Sequence, residues 1–404
     1  MRARRRGWWL PAALMMTAVT GCGVHAAAGP AWVAASATGP RVWFESLQMI
    51  SARVGWAVAS DSAADPDAGR GAPLLAARTT DGGRTWAIVG PPALATVVGE
   101  PIVLDAVTAS RVWLAAVVPT GKGRPATEVF GTTDGGASWI RSAPVRLGEP
   151  VSISFADPAH GWLLESLGAA MGEDWVAVYR TTDGGLRWSL TARTVASSQF
   201  GTTSKSGLPT ACDKSGLSFE SVRTGWITGD CTVGSEVLVT GDAGYHWAPQ
   251  RLPITAATCS AGCFIGPPQF AGPTDVLTIG HYGTTGNLLV SDNGGHTWQL
   301  RALPAGAGPY PQIRFFGAGR GILVPGGAQE TIGRTFYVTA DDGRQWTAVP
   351  QGLRFTGSTS VDFVSERDGF AWFALGNFVS GPAPDIYVTT DSGRTWTAIA
   401  PRAA

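Results

Sequence analysis

Short apolar runs, alternating with polar residues and bounded by Gly, Asp, Asn, Thr and Pro, recur from Val42 to the end of the chain. Alternation at this length predicts half-buried strands separated by tight turns. One octapeptide punctuates the pattern. It stands as Thr79 to Trp86 (TTDGGRTW), Thr132 to Trp139 (TTDGGASW), Thr181 to Trp188 (TTDGGLRW) and Thr240 to Trp247 (TGDAGYHW), then Ser291 to Trp298 (SDNGGHTW), Thr339 to Trp346 (TADDGRQW) and Thr389 to Trp396 (TTDSGRTW). Val176-Ala177-Val178-Tyr179 leads into the third copy and Trp188-Ser189-Leu190 leads away from it, so the octapeptide must reverse the chain between two strands.

The closing Trp residues set a unit of roughly 50 residues repeated seven times, the length of a four-stranded propeller blade. A second signal lies about 21 to 30 residues before each closing Trp: an alternating segment, a turn, then a Gly-aromatic pair. Gly55-Trp56, Gly161-Trp162, Gly225-Trp226 and Gly369-Phe370 carry it, while Asp275-Val276 and Gly321-Ile322 have lost the aromatic. The expected fold is all-β, a single seven-bladed β-propeller of four-stranded antiparallel blades over residues 41–404. A first strand near Val42 and a last strand ending near Ile399 would complete every blade from its own sequence and make strand exchange unnecessary; alternatively Ala31 to Ala37 contributes an outer strand, with Trp32 mimicking a closing Trp.

The third position holds Asp81, Asp134, Asp183, Asp242, Asp341 and Asp391, with Asn293 in the fifth copy. An acceptor there takes amide hydrogen bonds inside the turn, and the fifth-position Gly supplies the positive φ of a tight reversal. Trp86, Trp139, Trp188, Trp247, Trp298, Trp346 and Trp396 then open the outer strand with a large apolar face and an indole donor. These residues read as structural.

The pattern S/T-x-D-x-G-x-T-W resembles the Asp-box, or BNR, repeat, and the resemblance covers essentially Arg41 to Ala404. Proteins with this repeat include sialidases, xyloglucan-degrading glycosidases, sortilin-type receptors and photosystem II assembly and stability factors. The box lies away from their ligand face, so it speaks to fold rather than function. Gly-Trp signals paired with TTDGGxTW in one ring look most similar to the photosystem II assembly factor group and its relatives in nonphotosynthetic bacteria. That resemblance implies a nonenzymatic propeller binding a protein or peptide at the membrane surface. A glycan-binding or glycoside-hydrolysing, sialidase-like propeller is the alternative.

At 404 residues, with 44% hydrophobic positions, the chain can bury a full core, and 30 basic against 30 acidic side chains give no overall pull toward nucleic acid. Arg2, Arg4, Arg5 and Arg6, followed by the apolar stretch Trp8 to Val19, read as an export leader over residues 1–21. Val19-Thr20-Gly21-Cys22 resembles a bacterial lipobox, which implies acylation of Cys22 and an extracytoplasmic, lipid-anchored protein. Residues 22–40, rich in Ala, Gly and Pro, read as a tether. Cys212, Cys231, Cys259 and Cys263 remain, an even number in an oxidising compartment, with Cys212–Cys231 and Cys259–Cys263 the expected local pairs. Their spacing is not that of a zinc site, and no metal or cofactor is expected.

Templates for catalysis are missing: no GxSxG, HExxH, P-loop or post-strand GxGxxG occurs. The Arg-Ile-Pro motif of sialidases is absent, and Tyr282 and Tyr310 are the tyrosines outside the repeat positions. A glycosidase needs two facing carboxylates, for which Asp105, Asp157, Glu165, Glu173, Asp174, Glu220 and Asp362 are the spare acids. No catalytic residue is therefore assigned. Four long segments mark the ligand face: Ser60 to Pro73, Val118 to Thr127, Ser166 to Trp175 and Ala192 to Asp213. Glu173, Asp174 and Trp175 are its candidate binding platform, and Arg141 with Arg146 a candidate basic patch.

Overall fold

The computed structural model describes residues 42–61, 74–91, 94, 102–119, 125–145, 148–170, 173–194, 205–231, 236–254, 263–272, 274–281, 286–326, 335–352, 359–373 and 385–404. The expected leader, Cys22 and the tether lie outside these residues, as does Cys259.

The first sheet comprises β1 (Val42–Met49), β2 (Gly55–Asp61), β3 (Leu74–Thr79) and β4 (Thr85–Ile88). The second comprises β5 (Val103–Thr108), β6 (Arg111–Val118), β7 (Ala126–Thr132) and β8 (Ile140–Arg141). The third comprises β9 (Glu149–Phe155), β10 (Gly161–Ala170), β11 (Glu173–Thr181) and β12 (Ser189–Arg193). A nine-stranded sheet follows, built from β13 (Asp213–Phe219), β14 (Gly225–Cys231), β15 (Glu236–Thr240), β16 (Ala248–Pro249), β17 (Cys263–Ile265), β18 (Gln269–Ala271), β19 (Thr274–His281), β20 (Asn287–Ser291) and β21 (Gln299–Ala302). Two four-stranded sheets follow it: β22 (Gln312–Phe315) to β25 (Thr347–Pro350), with β23 (Gly321–Val324) and β24 (Thr335–Thr339) between, and β26 (Thr359–Phe363) to β29 (Thr397–Ile399), with β27 (Gly369–Phe373) and β28 (Ile386–Thr389) between. The short β30 (Arg402–Ala403) pairs parallel to β4 as a fifth strand of the first sheet.

The fold is an all-β propeller with four-stranded antiparallel blades. Its described strands form six sheets, which corrects the expected count of seven separate blades. The physical reason is local: β14 runs past its β15 partner and pairs with β17 through Asp230 and Cys231, so the fourth and fifth octapeptides share one sheet. The expectation that each blade completes itself is corrected as well. Beyond Ile399 the chain adds β30 beside β4, and Val42 donates its amide to the Pro401 carbonyl at 3.2 Å.

All seven octapeptides are turns in which the first-position hydroxyl bonds the third side chain and accepts the fifth amide, while the partner of the closing indole varies. In the first, the Thr79 hydroxyl donates to Asp81 Oδ1 at 2.9 Å and accepts the Gly83 amide at 2.9 Å. Asp81 accepts the Arg84 and Thr85 amides, each at 3.0 Å, and the Trp86 indole donates to the Gly83 carbonyl at 3.0 Å. In the second, the Ser138 hydroxyl, with its amide and the Thr132 hydroxyl, holds the Asp134 carboxyl down at about 2. Both the fourth and the fifth positions have positive φ, so the turn needs two left-handed residues rather than the single fifth-position Gly of the sequence pattern. Ala243, Asp342 and Ser392 occupy the fourth position at φ 66°, 57° and 64°, where a Cβ is strained by about 1 kcal/mol. Ser392→Gly is accordingly expected to raise unfolding free energy by roughly 0.5–1 kcal/mol. A thermal melt checks this, and a lowered midpoint refutes the strain.

Blades join through aromatic side chains on their second strands. Trp113 donates its indole N–H to the Gly184 carbonyl at 2.9 Å and stacks on Phe155 with centroids 3.8 Å apart. Trp162 repeats the contact one blade on, with Ala243 and Phe219 as partners. Around the inner wall, a polar side chain on one first strand holds the backbone of the next. Gln48 accepts the Ala106 amide, Asp105 the Phe155 amide, Ser154 the Phe219 amide and Gln269 the Phe315 amide, at 2.7–3.3 Å. Ser218 donates to the Pro268 carbonyl at 3.1 Å, Asp362 accepts the Met49 amide and so joins the last sheet to the first, and the turns of the last two sheets are joined by Arg320 and Glu366 at 2.8 Å.

Candidate active site

The end of the fourth repeat opposite its octapeptide turn collects the carboxylates. Strands β13 and β14 pair antiparallel from Phe219 and Gly225, beside that turn, to Asp213 and Asp230 at the far end. Asp213 and Asp230 are therefore direct cross-strand neighbours, both partly exposed. Cβ atoms in such a pair stand about 4.5–5.5 Å apart, and two like charges placed so are destabilising. Burial, reinforced by the Asp230 charge, pushes the Asp213 carboxyl above its usual range. Tyr310, entering β22, is raised by burial and by Asp230 in the same way.

What holds the two strands in place is a buried charge cluster on the side facing β11. Lys214 has no exposed side-chain surface, and its ammonium donates to the carbonyls of Ala211 at 2.6 Å and Cys212 at 3.0 Å and lies 3.1 Å from Glu236 Oε2. Its amide donates to Asp174 Oδ2 at 2.8 Å. Burial pushes Asp174 up to about 6 and Glu236 up to about 7, in both cases against the pull of Lys214. Cys212 is left-handed at φ 61° and disulfide-bonded, as is Cys263. Cys231 lies opposite Cys263 in the strand register, and its side chain is outside the described residues, so the expected pairing of the four cysteines stays a proposal.

Glu173, Asp174 and Trp175 do not form an open platform. Glu173 and Asp174 are buried: Glu173 accepts the Thr210 hydroxyl at 3.0 Å, and Asp174, besides its bond to Lys214, donates its amide to the Thr210 carbonyl at 2.7 Å. They fasten the segment before β13 onto the third blade. Trp175 is half-buried opposite Gly168. The stretch Ser166 to Trp175, read as a long loop, is largely the β10–β11 hairpin. Arg141 is committed to Glu128 in a bidentate pair, and Arg146 lies outside the described residues.

The remaining spare acids disperse. Asp105 and Asp362 belong to the inner-wall ring, Asp157 bonds the His160 ring, and Glu220 lies in the turn after β13. Glu165 is fully buried and pushed up to about 7 by that burial, against the Thr127 hydroxyl and the Gly148 backbone. Sequence reasoning missed the Asp213–Asp230 pair. The signal available was Cys212-Asp213 and Asp230-Cys231, mirror-image dipeptides at the two ends of a hairpin. Among the described residues, no group of three or more His, Cys, Asp or Glu side chains is placed to hold a metal ion.

No protein-family model matches the sequence, and no curated protein does. Solved structures share the fold. The GH74 enzyme of Niastella koreensis aligns with a TM-score of 0.51 at 13% identity, over 91% of this chain and 67% of its own. A prolyl endopeptidase structure aligns at 0.54 and 10% identity over 88% of this chain, which spans half of the endopeptidase's length. An α-L-arabinanase of Penicillium chrysogenum with bound arabinobiose aligns at 0.40 and 13% identity, over 72% of this chain and 92% of its own. Identities this low establish the propeller alone. The nonenzymatic expectation is corrected to this extent: the two of these structures aligning above 0.5 are enzymes, one of them a glycoside hydrolase, so the fold carries no argument against catalysis.

Proposed function

We propose that the protein is a glycan-directed propeller that hydrolyses a glycosidic bond at Asp213 and Asp230. The carboxylate pair carries this reading. Side chains on direct cross-strand neighbours can bring their carboxyl groups to the roughly 5 Å separation of retaining glycosidases, which need one carboxyl protonated and its neighbour ionised. Burial and the Asp230 charge favour the protonated form of Asp213, which suits it as the acid. In the first step the Asp213 proton passes to the glycosidic oxygen, the C–O bond breaks, and Asp230 bonds the sugar carbon. Water activated by Asp213 then cleaves that ester. The propeller likeness to the GH74 enzyme supports a glycan over the protein or peptide partner, since the repeat itself is common to both kinds of Asp-box protein.

The same proposal includes the Asp-box identity of the seven octapeptides, with the nine-stranded sheet holding two repeats. It also includes export, acylation at Cys22 and an extracytoplasmic site of action, supported by the leader and the lipobox-like sequence. The test is reducing-end release from a panel of neutral and charged polysaccharides. Asp213→Asn and Asp230→Asn are each expected to lose at least about 100-fold in kcat while still binding the glycan in affinity electrophoresis. Full hydrolysis by both variants, or binding to none of the polysaccharides, overturns the reading.

A further inference from the structure

We propose that Lys214 is a positioning residue for the carboxylate pair: its buried ammonium fixes the turn that delivers Asp213 and supplies the positive charge beside it. This rests on the reading of Asp213 and Asp230 as the reacting groups.

Lys214 directly follows Asp213, and the two side chains leave β13 on opposite faces. The cation turns inward and back, taking the carbonyls of Ala211 and Cys212 while its own amide is fixed by Asp174. Both carbonyls belong to the residues immediately ahead of Asp213, and the second belongs to left-handed Cys212. A left-handed non-glycine turn persists only where its surroundings over-determine it, and Lys214 supplies that restraint. The register slips just after it, between Lys214 and Gly216, and pairing resumes at Gly216 opposite Thr228. The two pairs at the end of β13 are thus set off from the rest of the strand by a bulge, and the ammonium adds a restraint of its own to that short ladder.

The charges around the group are few. Asp174 from β11 and Glu236 from β15 face the Lys214 side, while Asp230 from β14 faces Asp213 and also acts on Tyr310. Lys214 is the cation that favours ionised Asp213, opposing both its burial and Asp230. A fully buried ammonium with carbonyl and carboxylate partners is expensive to hold, and an apolar residue would fill the same interface at lower cost. Its place beside a reactive pair gives that expense a use.

The experiment uses the full chain with carboxyl-labelled aspartate, following Asp213 by carbon NMR as pH is varied. Lys214→Met alone strands two buried carboxyls, so the informative variant is Lys214→Met with Glu236→Gln, which removes opposite charges together. Asp213 is expected to titrate at higher pH in this variant than in the wild type. The alkaline limb of hydrolysis, set by loss of the Asp213 proton, should move the same way, with kcat falling about tenfold or more and KM little changed. An unchanged Asp213 titration in the folded variant overturns the proposal. In the wild type, the Lys214 ammonium protons should exchange with water far more slowly than those of an exposed lysine, and fast exchange overturns it without any variant. Absence of hydrolysis would count against the active-site reading alone, because the titration is read whether or not a glycan is cleaved.

Discussion

Trp162→Ala is expected to lower unfolding free energy by roughly 3–5 kcal/mol, read from a urea transition of the purified protein. Trp162 is fully buried, stacks on Phe219 with centroids 3.6 Å apart and planes 4° from parallel, and donates to the Ala243 carbonyl at 2.9 Å. Truncation removes the aromatic overlap, opens a cavity and leaves an acceptor in the fourth octapeptide without its donor. Three penalties converge because the third blade is joined to the repeat after it through this side chain. Arg180 lies over the ring at 5.8 Å and adds a smaller loss. Trp175, half-buried near the strand end, is the internal comparison, with an expected cost of about 1–2 kcal/mol. Equal losses at the two positions would mean that the stacked joint contributes nothing special.

Stability should fall as pH rises from about 5 to about 8, the reverse of a protein held by ionised surface pairs. Asp105, Glu165 and Glu236 are pushed up to about 7 and Asp174 to about 6, each chiefly by burial. Unfolded carboxyls titrate near 4. Between those values the folded chain binds more protons than the unfolded one, so the stabilisation is complete below about pH 4 and is lost as pH rises through about 7. The octapeptide aspartates act in the opposite direction. Asp134, held at about 2, stabilises above about pH 4 and loses that contribution only as pH falls toward 2. A maximum in mildly acidic solution follows.

Asp105→Asn isolates one contributor. The amide oxygen can still accept the Phe155 N–H, now 2.7 Å from the carboxyl, without a charge to bury. On the inner wall solvent reaches Asp105 in part, so the gain at about pH 8 is on the order of 2 kcal/mol, about half of what the full shift implies. Below about pH 4 the variant and wild type should melt together. A melting temperature that climbs from about pH 5 to about pH 8, or a variant less stable in alkali, would refute the assignment.

The repeat was legible because its chemistry is local. Thr79, Asp81, Gly83 and Trp86 contact one another within a single turn, so spacing alone reports their geometry. The blade joints were half legible: Gly161-Trp162 stood out as a motif, whereas Trp113 lacks the preceding glycine and makes the same contact. The fused sheet and the added β30 depend on which strand edges lie unoccupied, a property of the closed ring. The carboxylate pair depends on register across a hairpin, where a one-residue slip sends a side chain to the opposite face. Glu173 and Asp174 had the composition of a binding site and the burial of a fastening, a distinction that composition does not carry.

The side-chain clasps of the inner wall make the molecule a hoop. A row of stacked sheets frays from its two outermost members, each of which has only one neighbour. With Asp362 reaching Met49 and Gln48 reaching Ala106, the first sheet is grasped from both sides, and no sheet is outermost. Loss of one clasp opens the hoop into such a row only where the aromatic joint at the same junction is lost as well. Each clasp also joins a side chain to a neighbour's backbone, an amide that every residue type but proline presents, or in the Ser218 clasp a carbonyl that every residue type presents. Sequence can drift on the backbone side of every such clasp, and the ring tolerates divergence of one blade at a time without retuning the next.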